Sequence, residues 1–154
     1  MPETNLPLLP TSVIGSHGLP GWMYAALNRI EQGEFGPTDA RELYDDAVIL
    51  AIWDQERAGV DIITDGEMRR WMFVQNFYSR MTGLERQAPL RKQGPDAYDS
   101  VPRYVARERI SVPHGLGIVE EFRFLKAHTT TATKATCPGP ATISIHVRER
   151  PSVY

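Results

Sequence analysis

The residues best suited to chemistry stand where short apolar runs of this 154-residue chain end. Val60, Asp61, Ile62 and Ile63 form one such run, and Thr64, Asp65, Gly66, Glu67, Arg69 and Arg70 follow at once. A carboxylate at a strand mouth is suited to receive an ammonium group through charge-assisted hydrogen bonds. Arg69 or Arg70 can hold the acid in place or bind an anion independently, and the same residues also make an ordinary solvated loop or a local ion-pair network. A second constellation is Ile14-Gly15-Ser16-His17. Backbone amides around Gly15 and Ser16, with the Ser16 hydroxyl, can hold a small anion such as a carboxylate. The plain alternative is a glycine-terminated strand with an idle histidine at position 17.

The third constellation is Lys134-Ala135-Thr136-Cys137-Pro138-Gly139-Pro140-Ala141-Thr142, in which Pro-Gly-Pro forces a rigid turn after a strand. Cys137 has no cysteine or histidine at zinc-finger spacing, and His146 nine residues on gives no recognisable ligand pattern. Cys137 is therefore expected to be a small core cysteine. Gly15-Ser16-His17-Gly18-Leu19-Pro20-Gly21 lacks the Lys-Ser/Thr of a phosphate loop, and its glycine spacing is not the dinucleotide fingerprint.

These residues need elements to position them. Residues 1–10, with Pro2, Pro7 and Pro10, read as an extended lead-in. A strand is expected over 11–15, a loop over 16–21 and a helix over 22–32. A stronger helix is expected over 39–57, with Asp39 and Glu42 at capping-box spacing. Tyr44, Ala47, Val48, Ala51, Ile52 and Gln55 recur on one face of it, apolar except at its end. Gly59 closes that helix, and a buried strand over 60–63 follows. A helix over 71–81, an irregular polar excursion over 84–103, a strand over 104–112, a helix over 117–128 and a strand over 133–137 complete the pattern. Residues 141–147 can start another helix. Four strands alternating with helices make an α/β domain over 11–154, about half of a (β/α)₈ barrel, with a small open α/β sheet, a fragment or a subunit completed by another chain as the alternatives.

Composition narrows the function classes. The chain is 42% hydrophobic and 23% charged with a net charge of −2, values of an ordinary globular protein. Seventeen Lys and Arg against nineteen Asp and Glu imply no basic face for nucleic acid. A single cysteine excludes an intrachain disulfide and fits a reducing cytoplasm. No apolar run is long enough for a membrane span, so a cytoplasmic chain with neither membrane nor nucleic-acid partner is expected.

Taken in order, Ile14-Gly15-Ser16, the long stretch from Asp54 through Ala58-Gly59-Val60-Asp61-Ile62-Ile63-Thr64-Asp65-Gly66-Glu67-Met68-Arg69, and Pro138-Gly139-Pro140-Ala141-Thr142 resemble the catalytic domain of cobalamin-independent methionine synthase and its shorter relatives. The resemblance covers nearly all of the chain after residue 10. It implies the N-terminal half, about four βα units, of a barrel of the methionine-synthase and uroporphyrinogen-decarboxylase type. The implied activity is methyl transfer to a homocysteine-type thiol. Ile14 and Ser16 would hold the carboxylate end of the amino acid and Glu67 its amino group, with His17, Asp65 and Arg69 as supporting residues. The resemblance also implies zinc, held in the family by His, Cys and Glu of later strands, so no metal ligand and no catalytic residue is expected on this chain. The methyl donor is left open between folate and corrinoid. A half barrel leaves strand edges exposed, so a second half-barrel chain or self-association is expected, and the isolated chain is expected to be inactive. A non-catalytic half barrel that binds an amino acid or only mediates assembly, or a truncated product, is the alternative.

Overall fold

Two helices lead the chain in the computed structural model, which describes residues 6–70, 74–88 and 102–153: α1 (Gly21–Glu31) and α2 (Pro37–Arg57). Helix α2 starts two residues earlier than the sequence suggested, because Pro37 takes the first helical position, where its fixed φ is preorganised and its missing N–H costs nothing. The expected Asp39–Glu42 box is thereby corrected: Asp39 is the third helical residue, and its Oδ2 accepts from the Gly36 N–H at 2.8 Å. The apolar stripe is buried as its spacing required. Ala47, Val48, Ala51 and Ile52 are fully buried, and they pack with Met23 and Leu27 of α1 and with Ile63, Met68 and Leu125.

Residue contacts group the chain into two compact units, each considered by itself: Met1–Trp71 with Ile118–Thr136, and Met72–Gly117 with Cys137–Tyr154. In the first, β1 (Ile62–Ile63) emerges from the turn after α2. The chain returns to this sheet after α4 (Ile118–Ala127), as β4 (Ala132–Thr133), which pairs parallel with β1. On the other side of β1, Ser12 forms a parallel bridge to Ile62, and the Ile62 N–H donates to Thr11 O at 3.0 Å. Asp61 fastens that edge, its Oδ2 accepting from both the Thr11 N–H and hydroxyl at 2.7 Å. Those two hydrogen bonds hold the Asp61 carboxyl below the usual carboxylate range. Thr11 and Ser12 are thus tied to a central, wholly apolar β1 between two parallel neighbours, which is the order a β/α sheet requires.

The second unit holds α3 (Gln75–Tyr78), β2 (Thr82–Gln87), β3 (Arg103–Ser111), α5 (Pro140–Ser144) and β5 (Val147–Arg148). Here the sequence reading needs correction. The strand expected over 104–112 exists, yet it belongs to a different sheet, antiparallel to β2 and parallel to β5. Its Arg103, Arg107, Glu108 and Arg109 suit a half-exposed strand and not one buried on both faces. Three parallel segments, not four, therefore make up the β1 sheet among the described residues. The excursion read as irregular opens with β2, whose Gly83 and charged residues mask its period; Glu85 pairs there with Arg107 of β3. Residues 89–101 of that excursion, and 71–73 of the expected helix over 71–81, lie outside the described residues. The helix expected from Ala141 to Val147 gives way to β5 after Ser144. Tyr78 is buried, packs against Tyr104 with ring centroids 4.4 Å apart and planes tilted by 43°, and donates its hydroxyl to Ile143 O. Cys137, expected in the core, is exposed, because it stands next to the Pro138-Gly139-Pro140 turn and not within a strand. No helix among the described residues is long and apolar enough to cross a membrane.

Candidate functional site

The site is built where β1 ends. Thr64 is fully buried there, and its backbone finds partners in a side chain. The Gln55 amide donates to Thr64 O at 2.9 Å and accepts from the Thr64 N–H at 2.9 Å, as a neighbouring strand would. A second hydrogen bond from Gln55 Nε2 to Ala51 O, 2.8 Å, anchors that amide to α2. This explains the polar residue at the end of an otherwise apolar helical face: a buried strand end must have its backbone groups satisfied.

The chain then reverses in a turn held from within. The Gly66 N–H donates to Thr64 Oγ1 at 3.1 Å, the Glu67 N–H to Asp65 Oδ1 at 3.0 Å, and the Arg70 N–H to Glu67 O at 2.9 Å. Gly66 and Glu67 both adopt left-handed backbone, with φ of 66° and 54°. Glu67 is the one non-glycine residue with positive φ among the described residues, a conformation that persists only where its surroundings impose it. Gly66 O accepts from the His17 N–H at 2.9 Å, which docks the loop after residue 15 onto the turn.

That docking brings Ser16 to Glu67. The Ser16 hydroxyl donates to Glu67 Oε2 at 2.9 Å, across 51 residues of sequence. Glu67 is 5% exposed, and its Oε1 lies 3.8 Å from Arg70 Nη1. Arg70, also buried, is held tightly elsewhere: Nε and Nη2 donate to Glu121 Oε2 at 3.0 and 2.5 Å, Nη1 to Thr136 Oγ1 at 2.9 Å and Nη2 to Thr136 O at 3.0 Å. A carboxylate, a hydroxyl and a buried guanidinium thus converge at the carboxyl ends of parallel strands, where α/β sheets carry their sites.

The other residues singled out from sequence take different places. Asp65 is buried and braces the Glu67 amide. Arg69 turns away from Glu67, pairing with Asp45 and lying 4.6 Å over the Phe124 ring. Burial pushes the phenol of the nearby Tyr44 up, with the Arg69 charge acting in the opposite direction. His17 Nε2 sits 3.2 Å from Asp54 Oδ2. Ile14 is 94% exposed. Pro138, Gly139 and Pro140 belong to the second unit, where Gly139 and Pro140 begin α5. Thr136 of the third constellation joins the site, and Glu121 and Gln55 take part without having been read from the sequence as parts of it. Among the described residues no group of three His, Cys, Asp or Glu is placed to hold a metal ion. The donor set among the described residues therefore does not fit the zinc implied by the resemblance.

Residues 9–149 match the family model described as "Cobalamin-independent synthase, Catalytic domain". A methionine synthase of Sulfurisphaera tokodaii is 39% identical over 141 residues, covering 91% of this chain and 40% of that protein. One from Saccharolobus solfataricus is 38% identical over 142 residues, 92% of this chain and 42% of that protein. Among solved structures, a B12-independent methionine synthase from a Shewanella species, in complex with selenomethionine, superimposes with a TM-score of 0.71 at 25% identity, covering 94% of this chain and 42% of that one. The chain thus spans about two fifths of the length of these relatives. Its fold is that of the N-terminal half of their barrel.

Proposed function

Because the chain belongs to the catalytic-domain family of cobalamin-independent synthases, we propose that it is the amino-acid-holding half of a methionine-synthase-like thiol methyltransferase. The observation that carries this reading is the buried Glu67 carboxylate with the Ser16 hydroxyl on it. A ligand ammonium arriving at Glu67 Oε2 takes the place of the Ser16 hydroxyl and makes a charge-assisted hydrogen bond. The released hydroxyl, with the amides around Gly15 and Ser16, then turns to the ligand carboxylate, so one exchange satisfies both ends of an amino acid. Ile14 adds its backbone to that carboxylate end, while Asp65 keeps the Glu67 amide in place. His17 and Arg69 support the loop and the turn through Asp54 and Asp45. The related Shewanella structure, with its bound selenomethionine, supports a ligand of methionine shape.

The thiol is of homocysteine type in this reading, and the methyl donor is a folate or a corrinoid. Zinc is assigned to residues outside this chain, together with the rest of the barrel. A second half-barrel chain or self-association supplies the missing wall in a cytoplasmic assembly. The coverage of the relatives supports this, as do the edges of the three-segment sheet.

Calorimetry with methionine and homocysteine tests the pocket. Binding is expected, and Glu67→Gln is expected to weaken it at least tenfold, because a neutral amide loses a charged hydrogen bond of about 1.5–3 kcal/mol. No binding of either ligand, or equal binding by Glu67→Gln, overturns the reading. The isolated 154-residue chain is further expected to transfer no methyl group and to retain no stoichiometric zinc. Elemental analysis after exhaustive dialysis, with one zinc per chain as the contrary outcome, checks this.

A further inference from the structure

We infer that Glu121 is a positioning residue for ammonium recognition: by occupying the Arg70 guanidinium, it keeps the Glu67 carboxylate free for the ligand. The inference rests on the amino-acid site proposed above. The buried carboxylate of Glu67 and the partly buried one of Glu121 share one guanidinium here, and they share it unequally. Glu121 Oε2 accepts from both Nε and Nη2 of Arg70, at 3.0 and 2.5 Å, whereas Glu67 Oε1 stands off at 3.8 Å, beyond hydrogen-bond reach. The side chains of Arg70, Glu67 and Glu121 are 3%, 5% and 11% exposed, so water does little to moderate the competition. Thr136 fixes the remaining face of the guanidinium through its hydroxyl and carbonyl, which prevents Arg70 from swinging toward Glu67.

A buried arginine beside a single carboxylate normally forms a bidentate pair, which ties up both oxygens. Such a pair at Glu67 leaves no acceptor for an ammonium and cancels the charge that attracts one. With Glu121 engaged instead, Glu67 stays beside Arg70 without being consumed by it. Asp65 is committed to the Glu67 amide, and Lys134 to Val13 O at 2.8 Å, so neither supplies this division of contacts.

The test compares methionine with 4-(methylsulfanyl)butanoate, the same molecule without its amino group, by calorimetry on the full chain. Glu121→Gln keeps the size and an oxygen acceptor but removes the charge. It is expected to weaken methionine about tenfold while leaving the deaminated analogue within twofold. Glu121→Asp, which keeps the charge on a shorter arm, is expected to show a smaller loss of the same selective kind. It decides alone if Glu121→Gln fails to fold. Unchanged methionine binding overturns the proposal, and so does a parallel loss of both ligands, the mark of a merely structural role. If the unaltered chain binds no methionine, or Glu67→Gln binds it equally well, the amino-acid site itself is wrong, and this inference falls with it.

Discussion

Arg70→Met is expected to destabilise the protein by about 3–5 kcal/mol, lowering the melting temperature by roughly 10 °C or more. The cost comes from what the substitution leaves behind. Glu67 is buried, Glu121 is largely shielded at 11% exposure, and both lie against this guanidinium; methionine offers neither of them a donor. Both carboxylates would then lose their shared cation in a poorly solvated site, with the hydroxyl and carbonyl of Thr136 also losing their partner. The adjacent arginine supplies the control. Arg69 pairs with Asp45 at the edge of the unit, the two side chains being 20% and 31% exposed. Solvent screens such a pair, so Arg69→Met is expected to cost about 1 kcal/mol or less beyond its stacking on Phe124. Urea denaturation of both variants separates the two cases. Equal losses for neighbouring arginines would mean that the buried cluster has no special weight.

The contrast between positions 69 and 70 also shows where sequence reading stops. The apolar face of α2 and the buried run into β1 are periodic, local features, and both were legible. The Asp65-Gly66-Glu67 segment was legible as a sharp turn that leaves two acids at a strand mouth, while the same residues also suit an ordinary solvated loop. Which arginine serves the acid was not legible. It depends on a turn whose backbone is left-handed at both Gly66 and Glu67, and that geometry sends Arg70 inward and Arg69 toward Asp45. Ser16 and Glu67 were each visible as polar groups at strand ends, and their contact required the His17–Gly66 docking across the sheet. Glu121 carried no signal, since an acid in the first turn of a helix is already explained by the helix dipole. Gln55 was visible as an irregularity, and only the strand end beside it gives the reason. The strand over 104–112 misled because alternation announces a strand without saying which sheet it joins. Its charges, weighed against the apolar β1, were the available clue.

Gly66→Ala is the second substitution expected to have a large effect, about 2–4 kcal/mol, from two causes that can be separated. One is conformational. Position 66 has a φ of 66°, and the next residue already holds a left-handed conformation without being glycine. The other is steric: a Cβ there would stand 2.7 Å from the Ala51 Cβ and 2.9 Å from the His17 Cβ. Neither neighbour is the flexible end of a long side chain, so relief requires α2 or the loop after residue 15 to move. Ala51→Gly removes the closer contact, at about 1 kcal/mol for a glycine inside a helix. If packing is the larger cause, the double variant should be more stable than the sum of the two single losses by at least about 1 kcal/mol, read from a denaturation cycle. Simple additivity would clear the Ala51 contact and leave the cost to the backbone and to His17. The contact with His17 remains in either case. Because Gly66 O also receives the His17 N–H, movement there separates Ser16 from Glu67. Restored stability in the double variant is therefore expected without full recovery of methionine binding. The close approach of α2 fixes the turn, but the approach of the loop after residue 15 assembles the site.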